Sequence, residues 1–171
     1  MTLNAWKKLV AAPVAELLKP HGFRKAGLNF SASRSGRTLM VNLQSSNDSG
    51  QAALKVTCNL GIRVDRLASR PGTSVWDAHW RQRIGYFLPD DPRDHWWACA
   101  SDDDALRAGQ EIASLLATRA LPEMERLTTP AALAALWSSG RSPGLTDRQR
   151  AEYLSQLLAG GEVVIEPGSG N

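Results

Sequence analysis

The sequence is poor in the residues that staple a fold or hold a metal: 171 residues contain two cysteines, Cys58 and Cys99, and three histidines, His21, His79 and His95. Two thiols so far apart supply neither a disulfide framework nor a zinc knuckle. Cys58 falls on the apolar side of an alternating stretch, where a free thiol packs as a small hydrophobe. No apolar run approaches the roughly 18 residues needed to span a bilayer. Lys7 and Lys8 lie inside an amphipathic pattern rather than ahead of an apolar block with a cleavage site, so no secretory signal is read and the chain is expected in the cytoplasm. A serine flanked by glycines in the manner of a nucleophile elbow is missing, as are both glycine-rich phosphate loops. The three histidines sit in separate segments, so a triad would have to be assembled in three dimensions. No cofactor and no metal site are expected.

What the chain does carry is strand periodicity. From Leu28 to Ile62, three stretches alternate apolar and polar residues, which places them on opposite sides of an extended backbone. Leu28, Phe30 and Ala32 oppose Asn29, Ser31 and Ser33. Leu39, Val41 and Leu43 oppose Met40, Asn42 and Gln44, and Leu54, Val56, Cys58 and Leu60 oppose Lys55, Thr57 and Asn59. The expectation is a one-sided sheet whose second face is lined by neutral amides and hydroxyls. Ser35-Gly36 and Asn47-Asp48-Ser49-Gly50 supply turn chemistry between the strands, and such short connections force antiparallel neighbours.

Helical spacing of Leu3, Trp6, Val10, Val14, Leu17 and Leu18 opens the chain with an amphipathic helix, kinked or divided at Pro13 and stopped before Pro20. A fourth strand is read from Arg81 to Leu88 and a fifth at Trp96 to Cys99, with the loop Pro89-Asp90-Asp91-Pro92-Arg93-Asp94 between them. Ser101 before Asp102, Asp103 and Asp104 is a capped helix start, with Ala105, Ala108, Ile112, Leu115 and Leu116 as its buried stripe to about Arg119, and Pro122 ends or bends it before Leu127. Thr129-Pro130 starts a further helix, and Thr146 with Gln149 resembles a capping box opening a last one. The fold class is therefore α+β: an antiparallel sheet of about five strands, helices packed on one face and additional C-terminal helices. Residues 1–128 form the core domain, 129–160 a helical extension of it and 161–171 a flexible tail.

Charge is uneven along the chain. Residues 1–66 carry ten Lys or Arg against three acids, residues 67–171 ten against fourteen. The split fits an anionic partner at the basic half or two halves that neutralise each other. The basic residues are dispersed without interleaved aromatics, which speaks against a nucleic-acid platform. Asp90, Asp91, Asp94 and His95 offer ligand types for a divalent ion, although a solvated turn accounts for them equally. Arg81 and Arg83 share one face of the fourth strand, placed to grip a phosphate or carboxylate or to pair with acidic neighbours. Trp76, Trp80, Trp96 and Trp97 crowd into 22 residues; they serve the core, or anchor a partner, where Trp is enriched.

The string Lys19-Pro20-His21-Gly22-Phe23-Arg24-Lys25, then Phe30, Val41-Asn42-Leu43-Gln44-Ser45-Ser46 and Cys58-Asn59-Leu60-Gly61-Ile62 resembles the bacterial family called domain of unknown function 4304. Arg83-Ile84-Gly85-Tyr86-Phe87-Leu88-Pro89 and Trp96-Trp97 are similar to its later elements. The resemblance spans about residues 3–125 and implies a compact α+β domain with no established activity. It also suggests an immunity protein that neutralises a co-encoded toxin, though a family label does not itself supply a function. The expected function is non-enzymatic protein binding with a bacterial toxin as partner, through Asn42, Gln44, Thr57 and Asn59 as a hydrogen-bonding face and Trp76, Trp80 and Arg81 as anchors. The alternative is an enzyme or binding module for a phosphate-containing or nucleic-acid ligand, built on Arg81, Arg83, His79 and the acidic turn.

Overall fold

In a computed structural model, which describes residues 2–46 and 53–161, the alternating stretches pair as an antiparallel meander. Helix α1 (Leu3–Leu18) leads through a short turn into β1 (Arg24–Ala26), β2 (Asn29–Arg34), β3 (Arg37–Ser45) and β4 (Leu54–Val64). Strands β5 (Trp80–Arg83) and β6 (Trp97–Cys99) complete a six-stranded sheet of order β1-β2-β3-β4-β5, with β6 also on β4. The expected turn at Asn47-Asp48-Ser49-Gly50 and the expected tail from residue 162 onward lie outside the described residues.

The register puts Leu39 opposite Ile62, Val41 opposite Leu60 and Leu43 opposite Cys58. These side chains, with Phe30, Leu54 and Val56, are buried against Trp6, Val10, Val14 and Leu18 of α1 and Ala105, Ala108 and Ile112 of α2 (Asp102–Leu115). The apolar face read from the period-2 pattern is thus the core face. Burial of this kind stabilises by about 25 cal/mol per Å² of apolar surface, which is what holds the helices to the sheet.

Helix starts follow their local chemistry. Ser101 Oγ accepts from Asp104 N at 3.1 Å, and three aspartates occupy the positive end of the helix dipole. Thr129 caps α4 (Pro130–Ser138), and Thr146 with Gln149 forms a reciprocal capping box on α5 (Asp147–Ala159). Leu133, Ala134, Trp137 and Leu157 from these helices join the same core cluster as the sheet.

Four expectations need correction. Helix α1 is not divided at Pro13, because Val10, Ala11 and Val14 on either side are buried and tertiary packing outweighs the lost backbone donor. The helix from Asp102 extends past Arg119, because a wide π turn at Leu116–Ala120 carries it into α3 (Leu121–Arg126); Pro122, in the first turn of the new segment, does not end it, and the helix finishes before Leu127. The fourth strand ends at Arg83, and Ile84–Phe87 coils into a 3-10 turn. The sheet is also not one-sided. Met40 is 1% exposed, Thr57 0% and Asn59 5%, because segments remote in sequence fold over the polar face at its centre.

Candidate functional site

Gly61 begins the site by having no side chain. A Cβ there would lie 2.8 Å from Ala78 Cβ and 2.9 Å from Val75 Cγ2, so glycine lets the Val75–Asp77 turn press onto the backbone of β4. Val75 and Ala78 are buried by this contact, and Ser74 Oγ accepts from Trp76 N at 3.3 Å. The clamp leaves Trp76, between them, pointing outward at 56% exposure.

A second turn repeats the device. Ile84 is wholly buried in the core, and the carbonyl of Gly85 accepts from both Leu88 N and Arg93 N at 3.2 Å. Gly85 packs so closely on the Arg93–His95 backbone that a side chain would collide with it. The following residue, Tyr86, is turned out at 49% exposure. Trp76 and Tyr86 are the two most exposed large hydrophobic residues described, and both line one cleft of about 500 Å³ over β5.

The floor and walls of that cleft come from the sheet. Gly61 pairs with Arg81 and Asn59 with Arg83, which places both arginines on the amide face, beside Asn59, Gln82, Asp94, Pro143 and Gly144. Arg83 Nη1 donates to both oxygens of Asp94, at 2.7 and 2.6 Å, and its guanidinium carbon lies 5.1 Å from the Trp96 ring centroid. Arg81 Nη2 donates to the Gly144 carbonyl at 3.0 Å in an exposed bond, while its Nε is buried and has no hydrogen-bond partner among the described residues.

The amides that the sequence suggested for partner binding are largely spent on each other. Asn59 Nδ2 donates to Asn42 Oδ1 at 3.0 Å and to Gln44 Oε1 at 2.8 Å, and Asn42 Nδ2 donates to Asn29 Oδ1 at 2.8 Å. Thr57 donates to the His95 carbonyl at 2.8 Å and has no exposed surface. The result is a cross-strand ladder that supports the cleft, with Asn59 reaching its wall. Trp80 is 2% exposed and packs in the core, so it cannot anchor a partner in this structure. Of the seven residues singled out from sequence, the cleft gathers Asn59, Trp76 and Arg81. Tyr86 went unnoticed because it falls in a segment read as strand; the glycine before it was the available signal of a turn.

The groups for acid-base chemistry are dispersed. His79 lines a neighbouring hollow rather than the cleft, and its Nδ1 accepts from Val64 N at 3.0 Å. Burial holds its imidazole below the ordinary value of 6.5, with a backbone hydrogen bond at Leu67 pulling the other way. Asp91 is held by Arg93 and Asp94 by Arg83, and among the described residues no three His, Cys, Asp or Glu side chains converge as metal ligands. Burial likewise pushes the Cys58 thiol far up, which suppresses its thiolate. No described helix is long and apolar enough to cross a membrane.

In comparison with known proteins, the family model described as Domain of unknown function (DUF4304) aligns with residues 14–126, more than half of the chain. No curated protein and no solved structure matches. The matched region contains β1 to β6, α1 from Val14, and the Trp76, Arg81 and Tyr86 part of the cleft, whereas Pro143 and Gly144 lie beyond it.

Proposed function

The chain belongs to the DUF4304 family, and within it we propose that this protein is a non-catalytic protein-binding domain, an immunity protein that neutralises a co-encoded bacterial toxin in the cytoplasm. The observation that carries the binding reading is the pair of exposed rings, Trp76 and Tyr86, held out by two clamped turns on the rim of one cleft. Trp and Tyr exposed beside an arginine are the residue types that dominate binding energy at protein interfaces. Rigid backbone beneath them lowers the ordering cost of association. The dispersal of His79, Asp91 and Asp94 supports binding over catalysis.

The test is co-purification from the native organism, followed by expression of the recovered partner. A stoichiometric partner that the Trp76→Ala/Tyr86→Ala protein fails to retain, and whose expression arrests growth unless the wild-type chain is co-expressed, supports the proposal. A partner that is harmless when expressed alone removes the immunity reading, and a partner retained by the double variant removes the cleft from it.

One observation favours a second reading. Arg81 and Arg83 line the same cleft, as a site for a phosphate-containing ligand requires. Quenching of tryptophan fluorescence by inorganic pyrophosphate, lost in Arg81→Gln, would support it.

A further inference from the structure

The charge of the cleft specifies its ligand more narrowly than the exposed rings do. Three ionised side chains line it, Arg81, Arg83 and Asp94. Asp94 already takes a pair of hydrogen bonds from Arg83, and Trp96 lies against that guanidinium. Arg83 is therefore neutralised in place. Arg81 is not: one nitrogen reaches a neutral carbonyl and Nε reaches nothing among the described residues. A buried guanidinium N–H without an acceptor is left desolvated and unsatisfied, and a ligand oxygen would restore its hydrogen bond. Arg81 also lines the adjoining hollow, where Arg63 is paired with Asp65, Arg70 is paired with Asp77, and Glu152 makes no ion pair with Arg81. Those groups supply no second unopposed cation at the rim.

We propose, on the basis of the protein-binding reading above, that Arg81 is the acceptor for a single carboxylate, and that the partner inserts an Asp or Glu flanked by an aromatic or large aliphatic residue into the cleft. One uncompensated cation matches a monoanion. A phosphate dianion would face Asp94 with only Arg81 to offset it. The apolar lining from Leu60, Val75, Trp76, Tyr86 and Pro143 receives the neighbouring side chain, and a guanidinium takes a carboxylate through two parallel N–H bonds. Binding then exchanges the Gly144 contact of Arg81 for a charged one.

The full chain, immobilised, is panned with a random linear dodecapeptide phage library, and recovered peptides are synthesised and titrated. Recovered sequences enriched in Asp or Glu beside an aromatic or aliphatic residue are expected. Their affinity should fall at least tenfold in Arg81→Gln, by an intermediate factor in Arg81→Lys, and not at all in Arg107→Gln, which removes an exposed arginine paired with Asp104 on α2. Near-UV spectra of each variant report retention of the fold, and Arg81→Lys keeps the charge should Arg81→Gln disturb it. Peptides without acidic enrichment, or undiminished binding to folded Arg81→Gln, overturn the carboxylate assignment. If Trp76→Ala abolishes binding while Arg81→Gln does not, this inference fails and the protein-binding reading stands. Peptides that bind Trp76→Ala/Tyr86→Ala protein as tightly as wild type overturn both. Recovery of no peptide, with pyrophosphate bound by wild type and not by Arg81→Gln, overturns the carboxylate in favour of a phosphate ligand.

Discussion

Gly109→Ala sets a local rule against a tertiary contact. Gly109 lies in the interior of α2, where alanine is favoured over glycine by about 1 kcal/mol, since glycine gives up more backbone entropy on forming a helix. Read locally, the substitution stabilises. The structure reverses the sign: a Cβ at 109 would stand 3.0 Å from the Cα and carbonyl carbon of Val10 and closer still to its oxygen. The obstacle is the backbone of α1, which cannot rotate away, so the two helices must separate along a buried seam that includes Val10, Val14, Ala105, Ala108 and Ile112. Overpacking a well-filled interior costs about 1–3 kcal/mol, and an immovable backbone places this case in the upper part of that range. Set against the propensity gain, the net loss is about 1–2 kcal/mol. For a chain of this size that lowers the Tm by about 2–8 °C. Urea unfolding followed by tryptophan fluorescence and far-ultraviolet circular dichroism measures it, with an unchanged m-value showing that the denatured state is not the cause. A Tm raised by the few degrees that propensity alone predicts would refute the close crossing of α1 and α2.

The remaining predictions concern the site and the buried titratable groups. Trp76→Ala should change stability by no more than about 0.5 kcal/mol, as for other exposed positions, whereas Trp80→Ala should cost about 3–5 kcal/mol through the cavity it leaves; urea midpoints of the two variants separate rim from core. For His79, the folded ring binds its proton more weakly than the unfolded chain does, so stability is independent of this group above its ordinary 6.5 and falls as pH drops below that toward the folded value. The decline between pH 7.5 and 5.5 should be shallower in His79→Gln than in wild type; parallel declines would exclude the ring as its source. Cys58 and Cys99 are both buried, with their thiols pushed up by burial, so neither should react with Ellman's reagent until the protein is unfolded in urea, and prompt release of one equivalent from native protein would contradict that packing.

What the sequence determined by itself was what depends on neighbours along the chain. Alternation at Leu39, Val41 and Leu43 set the core face, since side-chain direction in a strand reverses at every residue. Ser101, Thr129 and Thr146 marked helix starts because a cap bonds a backbone N–H only a few residues away. Tertiary structure alone decided which face stayed open. Strands β5 and β6 share the same edge of β4, and that shared edge brings the Val75 and His95 segments over Thr57, Asn59 and Gly61. Residues that alternation assigned to a solvent-facing surface became an internal ladder, and Trp80 went into the core while Trp76, four residues earlier, stayed out. The cleft combines Asn59, Trp76, Arg81, Tyr86, Asp94 and Gly144, and no local pattern links them. They meet because burying the apolar sheet face fixes where the connecting turns must lie, and those turns carry the exposed rings.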